Sequence, residues 1–236
     1  MKKKYYLLFS FLILLFSCEK EEIPVNIEGC TDPAASNFNQ YANIANNIIC
    51  NYESFMTTIP LGSDYRYQFF YTLNDNMIVS ENLKTDWDLA FENGSEGFLV
   101  TINSSTFSQI TSVNNTEFET INEISNLTWR WDNPDGNIEN TAIGDHRDLK
   151  NTVWIIDRGY TESGNLRGYK KFTIDTVTQN YYTIRHANLD NSKDTISTIY
   201  KNENQNFTQF SFKTNSQIQI EPLDNNWDLL FTQYTN

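Results

Sequence analysis

The chain is 236 residues long and carries 30 acidic against 17 basic side chains, a formal net charge of −13, with 14% aromatic residues. So acidic a surface repels phosphate groups, which excludes nucleic acid as a partner and excludes attachment to a membrane through a basic patch. The glycines fall in scattered turns and form no phosphate-cradling loop.

In chain order, the first element is a leader. Met1-Lys2-Lys3-Lys4, an apolar run from Tyr5 to Phe16 and a small residue, Ser17, predict a secretory signal over 1–17. The apolar run is shorter than the roughly 20 residues a bilayer span requires. Leu15-Phe16-Ser17-Cys18 resembles the bacterial lipobox, so Cys18 is the expected lipidation site. An ordinary signal peptide followed by a chance cysteine is the alternative. Removal of Lys2, Lys3 and Lys4 with the leader takes the net charge to −16. The acidic Glu19-Lys20-Glu21-Glu22 resembles the export tag of surface lipoproteins in Bacteroidetes, and it would serve equally as a solvated tether over 18–28. No apolar span follows, so the expected membrane contact is the lipid anchor only.

With Cys18 acylated, Cys30 and Cys50 remain as a pair, and a disulfide is expected in an exported protein. Closing that loop contributes about 3 kcal/mol in the chain-entropy model. The two cysteines lack the close spacing and neighbouring histidine of a zinc site. Residues 29–52, from Gly29-Cys30-Thr31-Asp32 through Ala35-Ser36-Asn37-Phe38 to Cys50-Asn51-Tyr52, resemble a small disulfide-closed module of Bacteroidetes surface proteins. Asn46-Asn47-Ile48-Ile49 replaces the acidic turn of that module, which argues against calcium, and the unit is read as a spacer or cap.

Residues 53–236 predict an all-β domain, mainly antiparallel and sandwich-like or barrel-like. Aromatic and β-branched runs at 65–73, 97–102, 153–156, 169–174, 181–184, 207–212 and 218–220 are the expected strands. Clusters such as Asn74-Asp75-Asn76, Asn93-Gly94-Ser95 and Ser163-Gly164-Asn165 separate them. Helical spacing is confined to 117–127, where no more than a turn or two is expected. One motif occurs twice, 140 positions apart: Asp86-Trp87-Asp88-Leu89-Ala90-Phe91 and Asn226-Trp227-Asp228-Leu229-Leu230-Phe231. Trp, Leu and Phe alternate onto one strand face and Asp onto the other, so Trp87 and Trp227 are expected to anchor corresponding core strands. The spacing is far from the roughly 40–45 residues of a propeller blade.

The first Trp-Asp strand, the following Val100-Thr101-Ile102-Asn103-Ser104, the Asp-Arg-Gly strand end within 153–160, Tyr169-Lys170-Lys171-Phe172, the strand from Tyr181 to Asp190 and the closing Trp227 to Thr235 together resemble HmuY-like lipoproteins, over roughly 55–236. The resemblance implies an all-β haem-binding lipoprotein on the outer face of the outer membrane. Such a protein takes haem from host carriers and passes it to a TonB-dependent transporter. The family continues with further strands after the second Trp-Asp strand, whereas this sequence stops at Asn236, which leaves open whether it is a fragment.

Members of the family hold haem with histidine pairs or methionine, so the candidate iron ligands are His146, His186 and Met77. His146 lies in the polar stretch Ile143-Gly144-Asp145-His146-Arg147-Asp148, where a ligand can project or an exposed loop histidine can sit. His186 is in phase with Tyr182 and Ile184 along a strand and reads equally as a core residue. Met77 opens a strand beside a turn, where plain packing is the alternative. Arg147 and Lys150 are candidates for the haem propionates, or for neutralising Asp145 and Asp148. No metal site beyond haem iron is expected. No nucleophile elbow or histidine-serine pairing appears, and nothing selects a catalytic carboxylate pair, so no enzyme is expected. The alternative function is a surface scaffold or adhesin-type module without haem, contacting protein or glycan through Trp129 and Trp131, whose spacing also suits core. Asp175-Thr176-Val177 and Asp194-Thr195-Ile196 resemble a Bacteroidetes O-glycosylation sequon.

Overall fold

A computed structural model describes residues 25–54, 56–147, 149 and 151–234. The leader, Cys18 and the start of the tether lie outside the described residues. The chain divides into two compact units, Met1–Phe55 and Met56–Asn236.

In the first unit, strands β1 (Glu28–Gly29) and β2 (Ile44–Ala45) pair in parallel. Cys30 and Cys50 are joined by a disulfide with a Cα separation of 5.1 Å. Asparagine side chains do most of the remaining work. Asn46 caps the short 3-10 turn Asn47–Ile49, and Asn37 holds Ile49 and Asn51 across the loop. So many side-chain-to-backbone bonds suit a unit with few apolar residues to bury.

The second unit is all-β. Its strands are β3 (Tyr67–Thr72), β4 (Met77–Leu83), β5 (Leu89–Glu92), β6 (Val100–Ile102), β7 (Gln109–Asn114), β8 (Thr152–Asp157), β9 (Tyr169–Val177), β10 (Tyr181–Ala187), β11 (Thr195–Tyr200), β12 (Phe207–Ser211), β13 (Ser216–Ile218) and β14 (Leu229–Phe231). They form a five-stranded sheet, β11-β10-β9-β8-β7, a four-stranded sheet, β13-β12-β5-β6, and a three-stranded sheet, β14-β3-β4, every pairing antiparallel. The first two sheets face each other. Trp154, Ile156, Phe172, Tyr182, Ile184 and Ile199 from one meet Leu89, Phe91, Val100, Ile102, Phe210 and Phe212 from the other in a single buried cluster. Period-two alternation along each strand delivers this shared face, and the Tyr182 hydroxyl reaches across it to donate to the Glu92 carbonyl at 2.6 Å.

The other face of the five-stranded sheet is also covered. Phe118 and Ile121, in the long connection after β7, pack on Val153 and Ala187. Lys171, fully buried there, donates from Nζ to the Phe118 and Ile121 carbonyls at 2.8 and 2.6 Å and to Asn191. One ammonium thus pins the covering segment by neutral acceptors. Trp129 and Trp131, in the same connection, are not core: Trp131 is 47% exposed and Trp129 half-buried against Tyr169. The segment makes only an isolated bridge from Arg130 to Ile110, so strand alternation does not govern which way these rings point.

The repeated motif has a topological meaning. The hairpin β3-β4 precedes the first Trp-Asp strand, β5, and the hairpin β12-β13 precedes the second, β14, yet β5 pairs with β12 and β14 with β3. Each Trp-Asp strand therefore closes the other copy's hairpin. Burial differs sharply between them. Leu89 and Phe91 are fully buried between β12 and β6, as expected of a core strand. The expectation fails for the second copy, where β14 is a sheet edge with Leu229 and Leu230 42% and 43% exposed. No strand lies outside it among the described residues, so only Trp227, edge-on to Phe70 at 5.0 Å, keeps the anchoring role.

Candidate functional site

The segment carrying His146 is irregular but firmly held. Buried Asp132 accepts the Ala142 N–H through Oδ1 and the Ile102 N–H through Oδ2, both at 2.7 Å, and so ties the segment to β6. Ala142 and Ile143 then enter the core, and Gly144, at φ +69°, turns the chain so that His146 meets Phe98 and Trp154. Burial pushes the Asp132 carboxyl above its usual range, partly offset by the two amide bonds.

His146 is 5% exposed. Its ring stands edge-on to Trp154 and Phe98, at 6.3 Å from each, and its Nε2–H donates to the Phe98 carbonyl at 2.7 Å. That bond leaves Nδ1 as the nitrogen with a free lone pair. Loss of water lowers the imidazole pKa, outweighing the help of the Phe98 carbonyl, so the ring is neutral at neutral pH. Arg147 stacks on the Phe98 ring at 3.5 Å and holds Asp145 by two bonds of 2.9 and 2.5 Å. Beside this group opens a cavity of about 890 Å³ with a mixed lining, in which apolar Leu149, Ile174 and Val177 stand beside several threonines and the carboxylates of Glu96 and Asp175. Its size falls in the range of about 300–1,000 Å³ common to small-molecule sites. Asp148 and Lys150, the other charged candidates here, lie outside the described residues.

His186 is on β10 and fully buried. Its Nε2 lies 2.9 Å from the Ser197 hydroxyl, its ring packs edge-on to Phe210 and Phe212 at 5.4 Å each, and its Nδ1 is buried without a hydrogen-bond partner. Desolvation, reinforced by the positive charge of Lys170, lowers its pKa to about 4. Met77 opens β4 opposite Thr72 and is 52% exposed.

The structure does not bring these three together. Trp154, Phe172 and His186 occupy paired positions on adjacent strands, and Trp154 stacks on Phe172 at 5.9 Å, so two aromatic rings stand between the imidazoles. Neither His186 nor Met77 lines the cavity beside His146.

The model of the HmuY protein family matches residues 64–209, which is more than half of the chain. The chain belongs to the HmuY family. No curated protein and no solved structure matches it significantly. The match runs from just before β3 into β12, so it includes the first Trp-Asp strand and ends before β13 and the second Trp-Asp strand. Among the described residues no helix is long and apolar enough to cross a membrane.

The haem that HmuY-family membership suggests fits these residues in part. The His146 cavity offers one neutral imidazole, a few apolar side chains and an arginine, whereas two carboxylates, Glu96 and Asp175, also line it and no second histidine or methionine does among the described residues. A bis-imidazole site does not fit this arrangement. Haem iron also binds a single axial imidazole, which the cavity can provide.

Sequence reasoning passed over one buried charged group. Asp88, fully buried, takes Arg158 through both carboxylate oxygens at 2.9 and 3.1 Å and Arg167 at 2.7 Å. The Asp-Arg-Gly step explains itself here: the Asp157 carboxylate accepts the Gly159 N–H, and Gly159 has φ +66°. A Cβ on Gly159 would sit 1.8 Å from the Thr106 carbonyl oxygen. Only glycine lets the β8-β9 hairpin fold down and present both arginines to Asp88. The motif was visible in the sequence; its partner 70 residues upstream was not.

Proposed function

We propose that this HmuY-family chain is a non-enzymatic surface lipoprotein that binds haem in the cavity beside His146. The observation that carries the reading is that cavity, where a buried neutral imidazole stands beside the aliphatic side chains of Leu149, Ile174 and Val177 and an arginine. A neutral ring suits iron at neutral pH, and Arg147 suits a propionate at the cavity mouth. On this reading His146 is the iron ligand and Met77 lies outside the site, while His186 serves the core. Anchoring through acylated Cys18 would hold the domain at the outer face of the outer membrane. Haem arriving from host carriers would pass from there to a TonB-dependent transporter. Titration of the mature protein with haemin tests it. A Soret shift saturating at one equivalent is expected, and the absence of any shift at micromolar haemin contradicts it.

A second reading rests on Trp131, exposed beside half-buried Trp129 in the segment that covers the sheet. Exposed indole favours a protein or glycan contact. Capture of a surface partner without haem, lost on Trp129→Ala with Trp131→Ala, would support a scaffold or adhesin role.

A further inference from the structure

A second pocket, of about 550 Å³, opens beside Arg158 and Arg167 of the Asp88 group, where the β8-β9 and β10-β11 turns meet the chain after β12. Arg158, Arg167, Lys170, Lys193 and Lys213 line it, and no carboxylate does among the described residues. A chain with 30 acidic and 17 basic side chains thus gathers five of its cations around one small space. Chance surface composition would give the opposite sign.

The charges are not balanced from below. Asp88 is one carboxylate shared by two guanidiniums whose side chains are 12% and 5% exposed, which leaves an excess positive charge fixed in the floor. Lys170 is buried beside it, and its ammonium bonds a neutral group, the Asn188 side-chain oxygen, at 2.6 Å. An ammonium has three donors, so this bond neither neutralises nor exhausts it. Burial and the like charges of Arg158 and Lys193 push the Lys170 pKa down, and the carboxylates of Asp88 and Asp190 offset this only in part. Asp190, a nearby carboxylate, is turned to the Ser192 N–H and hydroxyl. Lys193 and Lys213 complete the rim from two separate loops; both are exposed, and neither is in an ion pair among the described residues. Holding five like charges this close costs free energy that an anion would return, because fixed, partly desolvated donors bind oxyanions far better than solvated ones do.

We infer that this pocket is a binding site for a small molecule bearing phosphate or paired carboxylates, with Arg158, Arg167 and Lys170 as its floor and Lys193 and Lys213 as its rim. The inference is independent of haem binding at His146.

Isothermal titration of the mature chain with inorganic phosphate, pyrophosphate and citrate, against chloride at matched ionic strength, tests it. One equivalent of at least one oxyanion is expected to bind. Preference for pyrophosphate assigns phosphate chemistry, and preference for citrate assigns carboxylate chemistry. In Lys193→Gln with Lys213→Gln, at two exposed positions and with the fold checked by circular dichroism, affinity should fall about tenfold. Lys213→Gln alone should fall part of the way. Absence of binding by all three anions at millimolar concentration overturns the inference, as does affinity unchanged in the double variant, which would mark an adventitious ion only.

Discussion

Asp88 and Asp228 each donate a backbone N–H to the partner strand, to the Phe210 and Tyr71 carbonyls, both at 2.8 Å. Each then accepts through Oδ2 the N–H two residues further along that strand, from Phe212 at 2.8 Å and Leu73 at 2.7 Å. Leu89 faces Phe210 as Leu229 faces Tyr71. The aspartate of the motif is first a backbone acceptor that ends a strand pair in a fixed register. The surroundings then diverge. Asp88 is buried under two arginines, and Trp87 donates to Gln68 at 2.9 Å, whereas Asp228 is exposed without an ion pair among the described residues and the Trp227 Nε1 is buried without a partner. The same six-residue design is a keystone in one place and a sheet edge in the other, because burial is assigned by what packs outside the strand: β6 and the arginine hairpin in the first copy.

That contrast can be broken, starting with the largest effect. Asp88→Ala leaves two guanidiniums and the Phe212 amide unpaired in the interior and should cost about 5 kcal/mol of unfolding free energy in a urea titration. Loss of under 1 kcal/mol would mean the arginines find other partners and the keystone reading is wrong. Phe91→Ala should cost about 4 kcal/mol, while Phe231→Ala, half-buried on the edge, should cost about 1 kcal/mol. Equal losses would show that β14 is as buried in solution as β5.

His186 sharpens the comparison because it packs on Phe210 and Phe212, the residues Asp88 pairs with. Its pKa falls from 6.5 to about 4 on folding, so the unfolded chain takes up the proton first. Its contribution is complete above about pH 6.5 and is lost as pH falls toward 4, by about 3 kcal/mol in total. His186→Gln should flatten that part of the stability profile, and an unchanged slope would move the acid sensitivity elsewhere. Asp228→Ala is the smallest change, about 1 kcal/mol for a single exposed acceptor, read in the same urea titration; a loss matching that of Asp88→Ala would put a hidden charge at the second copy.

Much of the fold was legible because strand alternation is local. Thr152–Asp157, Tyr169–Val177 and Tyr181–Ala187 carry their apolar faces in their own sequence, and Cys30 with Cys50 needed only counting. The edge position of β14 was not legible, since Leu229 and Phe231 look as apolar as Leu89 and Phe91; only the presence or absence of a neighbouring strand decides. Trp129 and Trp131 misled for a related reason, alternation without a ladder. At the site, the sequence singled out His146 and His186 but could not tell that Trp154 and Phe172 stand between them. Nor could it show the basic pocket, whose five cations come from four stretches of chain spread over more than 50 residues.

Haemin titration of three variants side by side tests the central claim most directly. The account predicts that His146→Ala abolishes the Soret shift, while His186→Gln and Met77→Ala, if folded, keep the stoichiometry and affinity of the unmodified protein. A His146→Ala protein that binds haemin as the unmodified one does would contradict it.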